Sequence, residues 1–122
     1  MSLVVSDAVT QVLATAMDGV SLRQQVTADN IANVDTPNYR ASSVDFESSL
    51  RQAVDDGSVE RGELDGVQVQ TSPTDTPVGA NGNNVDLRHE TLAAVQSQYQ
   101  YQLLSRAMSD RFTTIHDAIG NQ

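Results

Sequence analysis

Acidic side chains crowd the middle of the chain: Asp45, Glu47, Asp55, Asp56, Glu60, Glu63 and Asp65. A hard cation needs several oxygens converging on one ion, and this spacing matches no calcium loop. A solvated acidic face accounts for the same residues. The run Asn81-Gly82-Asn83-Asn84-Val85-Asp86 is also rich in oxygen. With one carboxylate it would hold a divalent ion weakly, and it reads as a turn entering a helix cap. His89 and His116 stand 27 residues apart with no His or Cys at metal spacing. No nucleophile elbow surrounds any serine, and Gly62 and Gly66 lack the Lys-Ser/Thr of a phosphate loop. No catalytic, cofactor or metal residue is expected.

The elements that carry these residues belong to a chain of 122 residues, one domain's worth. It has no cysteine, which excludes disulfides, thiolate zinc sites and Cys nucleophiles. Its net charge is −9, and all seven cations are arginine. Nucleic-acid binding, which rests on neutralising phosphates, is disfavoured. No run approaches the apolar length of a membrane span. The opening residues lack a basic n-region, so no Sec-type signal is read there. The expectation is a soluble protein made in the cytosol, with export by another route left open.

Residues 6–33 predict a first long helix, with Ser6 or Asp7 as N-cap. Val9, Leu13, Ala16, Val20, Thr27, Ile31 and Val34 recur at steps of 4, 3, 4, 7, 4 and 3, a heptad pattern that Arg23 interrupts. Its β-branched residues and Gly19 make it a weak helix alone, so its stability should come from a partner surface. A second helix is predicted from about 86 to 119, with Asp86 as N-cap and Gly120 as C′. Leu92, Val95, Tyr99 and Leu103 form one stripe, expected to meet Leu13, Ala16, Val20 and Ile31 within the subunit. Leu104, Met108, Phe112, Ile115 and Ile119 form another on the opposite side, a candidate contact with a different neighbour, which is easier to supply in an assembly.

Between the helices, residues 44–56 allow a short amphipathic helix with Phe46, Leu50 and Ala53 or Val54 on one face. Val67–Thr71 alternates as a strand, with 59–64 as candidate partner. Residues 72–84 read as a flexible loop or a segment ordered on binding. The fold expected is mainly α. Residues 1–35 and 85–122 form an antiparallel, coiled-coil-like helical core, and 36–84 a short extended middle segment with a little β.

Asn30-Ile31-Ala32-Asn33, followed by Thr36-Pro37-Asn38-Tyr39-Arg40, is a helix end running into an extended turn. An ordinary Asn-rich terminus and a recognition surface are equally open readings of its composition. The segment resembles the N-terminal signature of flagellar rod and hook axial proteins, which usually have glycine at Asn38 and lysine at Arg40. Asparagine tolerates left-handed backbone, so the turn survives the change. Gly82-Asn83-Asn84-Val85-Asp86-Leu87 with Glu90 resembles the proximal-rod members of that family, whose lack of a large inserted domain suits this chain length.

The resemblance implies a structural subunit whose terminal helices polymerise around an export channel and transmit torque. It implies a place in the periplasmic rod of the basal body, reached through type III export without a cleaved signal. The implied partners are copies of itself, a FlgC-like rod protein, the adaptor FliE and the export gate. Two other readings remain: an unrelated oligomeric coiled-coil adaptor, and a small enzyme using Asp55 and Asp56. Helices this poor in propensity should order on assembly. Circular dichroism of dilute monomer should therefore show far less helix than the roughly 60 residues the heptads predict; a fully helical, cooperatively melting monomer would contradict this.

Overall fold

The computed structural model describes residues 3–120, with side chains from Asp7 onward. Met1, Ser2, Asn121 and Gln122, assigned above to the helical core, lie outside the described residues. The chain runs α1 (Leu3–Ala32), β1 (Ser42–Asp45), α2 (Glu47–Asp55), a 3-10 turn (Leu64–Gly66), β2 (Gln70–Pro73) and α3 (Leu87–Gly120). The architecture is mainly α, with two long terminal helices and a small antiparallel sheet between them. The helix boundaries shift from those expected. The first helix passes through Ser6 and Asp7, so neither caps it, and Gly120 ends α3 rather than following it.

Helices α1 and α3 are antiparallel. Asn30 reaches Glu90 near one end, and Arg23 reaches Gln100 further along. On α1 the inward face holds Ala8, Ala16, Val20, Thr27 and Asn30, all buried, with Leu13 and Ile31 half-buried. On α3 the inward face is not the expected stripe. Glu90 and Ser97 are buried, and Ala93, Leu104, Met108 and Ile115 are half-buried on the same side of the helix. Leu92, Val95, Tyr99 and Leu103 are instead 46–69% exposed. Phe112 and Ile119 are exposed as well, so the second stripe is split. The physical reason lies on α1. Asn30 projects its carboxamide into the seam, and a buried polar group requires a hydrogen-bond partner that Glu90 supplies and leucine lacks.

The middle segment folds onto α1 differently from the strand expectation. Ser42 pairs with Pro73 and Asp45 with Gln70, so the partner of β2 is β1, not residues 59–64. Residues 59–64 spend their amides on turns, Val59 on the Ala53 carbonyl and Glu63 on that of Ser58. The predicted helix 44–56 begins only at Glu47, because Val44 and Asp45 belong to β1. Pro73 sits opposite Ser42, whose backbone groups point to α1 rather than β2, so its missing N–H costs nothing there. Residues 74–82 have no regular structure beyond a turn. Thr74 donates its amide to Ala41, and Gly79 to Asn83.

One core cluster joins Ala16, Val20, Val44 and Phe46, with Leu104 of α3 packed against it; a second joins Ala8, Ala53 and Val59. The Phe46 ring lies against α1 at Gly19, where a Cβ would overlap the ring. By helix propensity alone Gly19→Ala gains about 1 kcal/mol. Overpacking against Phe46 reverses the sign, and a net loss of about 1–3 kcal/mol is expected; a rise in melting temperature for Gly19→Ala would refute the close approach.

Candidate functional site

The sequence motif around residues 30–40 and the one around 82–87 meet at one end of the helix pair. Asn30, 1% exposed, is their centre. Its Nδ2 donates to the Ser42 carbonyl at 2.7 Å and to Glu90 Oε2 at 3.1 Å. Its Oδ1 accepts from the Ser42 amide at 3.1 Å and the Tyr39 hydroxyl at 3.2 Å. One side chain thus bonds β1 as a neighbouring strand would, and ties in α3 and the turn. Burial, then the Asp29 and Glu90 carboxylates, push the Tyr39 phenol above its usual pKa.

Asn33 closes the helix end. Its Nδ2 donates to the Asp29 carbonyl, and its Oδ1 accepts from the Thr36 hydroxyl at 3.0 Å. Ile31 is half-buried and Ala32 exposed as α1 ends. Thr36-Pro37-Asn38-Tyr39 then forms a turn in which the Tyr39 amide donates to the Thr36 carbonyl. Asn38 has φ +61°, the left-handed region expected of it. Gly82, at φ +79°, lies so close that a Cβ would strike Asn38.

The second motif threads back through this turn. Asn83 Nδ2 donates to the carbonyls of Asn33 and Thr36 at 2.8 and 2.7 Å, and its Oδ1 accepts from the Val85 amide. Asn84 Oδ1 accepts from the Ala41 amide at 2.6 Å, and its own amide donates to Tyr39. Val85 is half-buried and Leu87 half-exposed. Asp86 Oδ1 accepts from the His89 amide at 3.1 Å, the N-cap bond expected of it.

Two residues at this surface were not read as functional. Arg23 interrupts the heptads, and that interruption was the available signal. Its guanidinium donates to the Val44 carbonyl, to Gln100 and, at 2.6 Å, to Glu47, and stacks on Phe46 at 4.9 Å. Desolvation raises the Glu47 pKa, but hydrogen bonds from Arg23 and from backbone amides, with the Arg23 charge, outweigh it and hold the carboxyl low. Glu90 enters the sequence only as part of the second motif, and its burial has no local signal there.

A cleft of about 210 Å3 runs between α1, β1 and α3, lined by Arg23, Thr27, Ser42, His89, Glu90 and Ser97 among others. Among the described residues no three His, Cys, Asp or Glu side chains come together as a metal site, and no helix is long and apolar enough to cross a membrane. What the arrangement does is mechanical: it fixes where two helices and a two-stranded sheet join. Asn30→Asp replaces a donor by a carboxylate beside Glu90 and strands the Ser42 carbonyl. A loss of roughly 2 kcal/mol or more is expected from thermal or urea unfolding; an unchanged midpoint would show that Asn30 does not hold the junction.

The family model described as flagella basal body rod protein matches residues 11–40, which include the whole turn centred on Asn30. Three curated relatives are each a flagellar basal body rod protein FlgB. The chain is 35% identical to that of Bacillus subtilis over 113 residues, covering 86% of this chain and 88% of the relative. It is 34% identical to that of Borreliella burgdorferi, covering 82% and 87% of the two chains. It is 33% identical to that of Escherichia coli, covering 71% and 75%. Likeness at that level over most of both chains, with the first half of the junction inside the matched family segment, means that the chain belongs to the flagellar basal body rod protein family.

Proposed function

We propose that this structural subunit of the basal-body rod joins its neighbours through the outer face of α3. The observation that carries the reading is the row Leu92, Val95, Tyr99 and Leu103, large apolar side chains left 46–69% exposed along one side of the helix. A contiguous apolar row of this kind marks an interaction surface. Phe112 and Ile119 extend the exposed apolar area toward the far end of α3.

The role is structural rather than catalytic. The relatives named flagellar basal body rod protein FlgB support a place in the rod; in this reading that place is the proximal rod, within the periplasm, reached by type III export without a cleaved signal. There the terminal helices, 1–35 and 85–122, line the axial shaft around the export channel and transmit torque. The middle segment, 36–84, locks adjacent subunits. The neighbours in this reading are copies of itself, a FlgC-like rod protein, the adaptor FliE and the export gate.

Leu103 is the most exposed of the four, at 69%, so changing it leaves the seam with α1 alone. Leu103→Glu, expressed as the sole copy in its flagellated host, should abolish swimming and hook–basal bodies. The purified variant should keep its helical signal and unfolding midpoint. Normal motility with intact basal bodies would reject the α3 face as an assembly surface.

A further inference from the structure

We infer that Asn81 is a site of spontaneous deamidation, held back while the junction is closed, and that the isoaspartate it forms keeps the junction from closing again.

Asn81 is the one asparagine in the sequence followed by glycine; every other precedes a residue with a side chain. A side chain on the following residue hinders attack by that residue's nitrogen on the asparagine carboxamide, and glycine has none. Asn81 is also exposed. In the reaction the Gly82 nitrogen bonds to Asn81 Cγ and the Cγ–Nδ2 bond breaks. Nδ2 leaves as ammonia, carrying away the proton from the Gly82 nitrogen. Water then opens the five-membered imide. Opening at Cγ gives aspartate. Opening at the original main-chain carbonyl gives isoaspartate, in which the chain runs through Cβ and Cγ. Water is the only co-reactant.

The fold holds both reacting groups. The Gly82 amide donates to the Gly79 carbonyl at 3.0 Å, so the attacking nitrogen is tied by the proton it must lose. The Asn81 carbonyl accepts from the Asn38 amide at 3.0 Å. Its Oδ1 accepts from the Asn83 amide at 3.2 Å. That last bond polarises the carboxamide toward attack, but imide closure must reset the backbone between Asn81 and Gly82 that the first two bonds fix. Local opening therefore precedes reaction, and the rate falls with the open population. The glycine cannot be exchanged to remove the hazard. Gly82 has φ +79°, and a Cβ there would strike Asn38. The turn that demands glycine at 82 is what makes Asn81 labile.

The product is damaging for the same reason. Isoaspartate lengthens the main chain by one carbon where it crosses Asn38. It also turns the carbonyl that accepted the Asn38 amide into a free carboxylate. Asn83 follows two residues on, and its bonds to the Asn33 and Thr36 carbonyls depend on that crossing.

Full-length protein held in mildly alkaline buffer, native or unfolded in urea, can be followed by peptide mass spectrometry. Deamidation should be fastest at Asn81 and at least about tenfold slower in the native protein than in the unfolded one. Asn83→Ala loosens the junction and leaves Asn81-Gly82 intact, so it should move the native rate toward the unfolded one. The comparison of native with unfolded wild type stands whether or not that variant folds. Purified isoaspartate form, identified by isoaspartyl methylation and refolded, should melt below the untreated protein. Asn81→Asp carries the same added charge on a normal backbone and should melt close to wild type. Equal native and unfolded rates, another asparagine reacting faster, a folded Asn83→Ala protein reacting no faster, or an isoaspartate form that melts with the untreated protein would each overturn the inference.

Discussion

The carboxamide of Asn30 is the interaction on which the rest of the structure depends. Buried between two helices and a strand, it meets both backbone groups of Ser42, the Tyr39 hydroxyl and the Glu90 carboxylate. Each of those groups would cost about 1–3 kcal/mol if left buried and unpaired. A slide of α3 by one residue turns Glu90 away from Asn30 and leaves both wanting. The register of the long helices is therefore set by a few polar atoms at one end. Apolar contact, which is non-directional, could not set it so narrowly.

That constraint decides which side of α3 meets α1. With Glu90 inward, Ala93, Ser97 and Leu104 follow it into the seam, and the row from Leu92 to Leu103 turns outward. Arg23 acts similarly further along. It closes the Val44 carbonyl on the free edge of β1 while reaching Gln100 of α3 and Glu47 of α2. The outer edge of β1 is thus occupied by α1 side chains rather than left to pair with another chain. The subunit places polar, directional bonds inside itself and presents apolar, non-directional area outside.

Close approaches do the remaining positioning. Gly19 lets the Phe46 ring lie on α1, which sets the start of α2, and Gly82 lets the entry to α3 cross the left-handed turn at Asn38. The same turn receives Asn83 from the far side, so the exit from one helix and the entry to the other are a single structural unit. The family signature and the G-N-N-V-D run are two halves of one junction, 50 residues apart in sequence between Asn33 and Asn83.

Periodicity, capping residues and turn chemistry are local properties. They sufficed for the two long helices, the cap at Asp86, the left-handed backbone at Asn38 and the inward placement of Ala16 and Val20. They sufficed also for the family resemblance, because the turn and cap motifs are short and contiguous. Which strand pairs with β2, which face of α3 is buried and why Arg23 sits in a heptad are not local. The stripe from Leu92 to Leu103 looks like a seam only if apolar area alone chooses the partner. In the folded chain that choice was made by hydrogen bonds from Asn30 and Arg23 to groups 60 and 77 residues away. The linear order of residues names the donors and acceptors; only three-dimensional closure determines which of them meet, because a buried polar group must be satisfied by whatever the fold brings within reach.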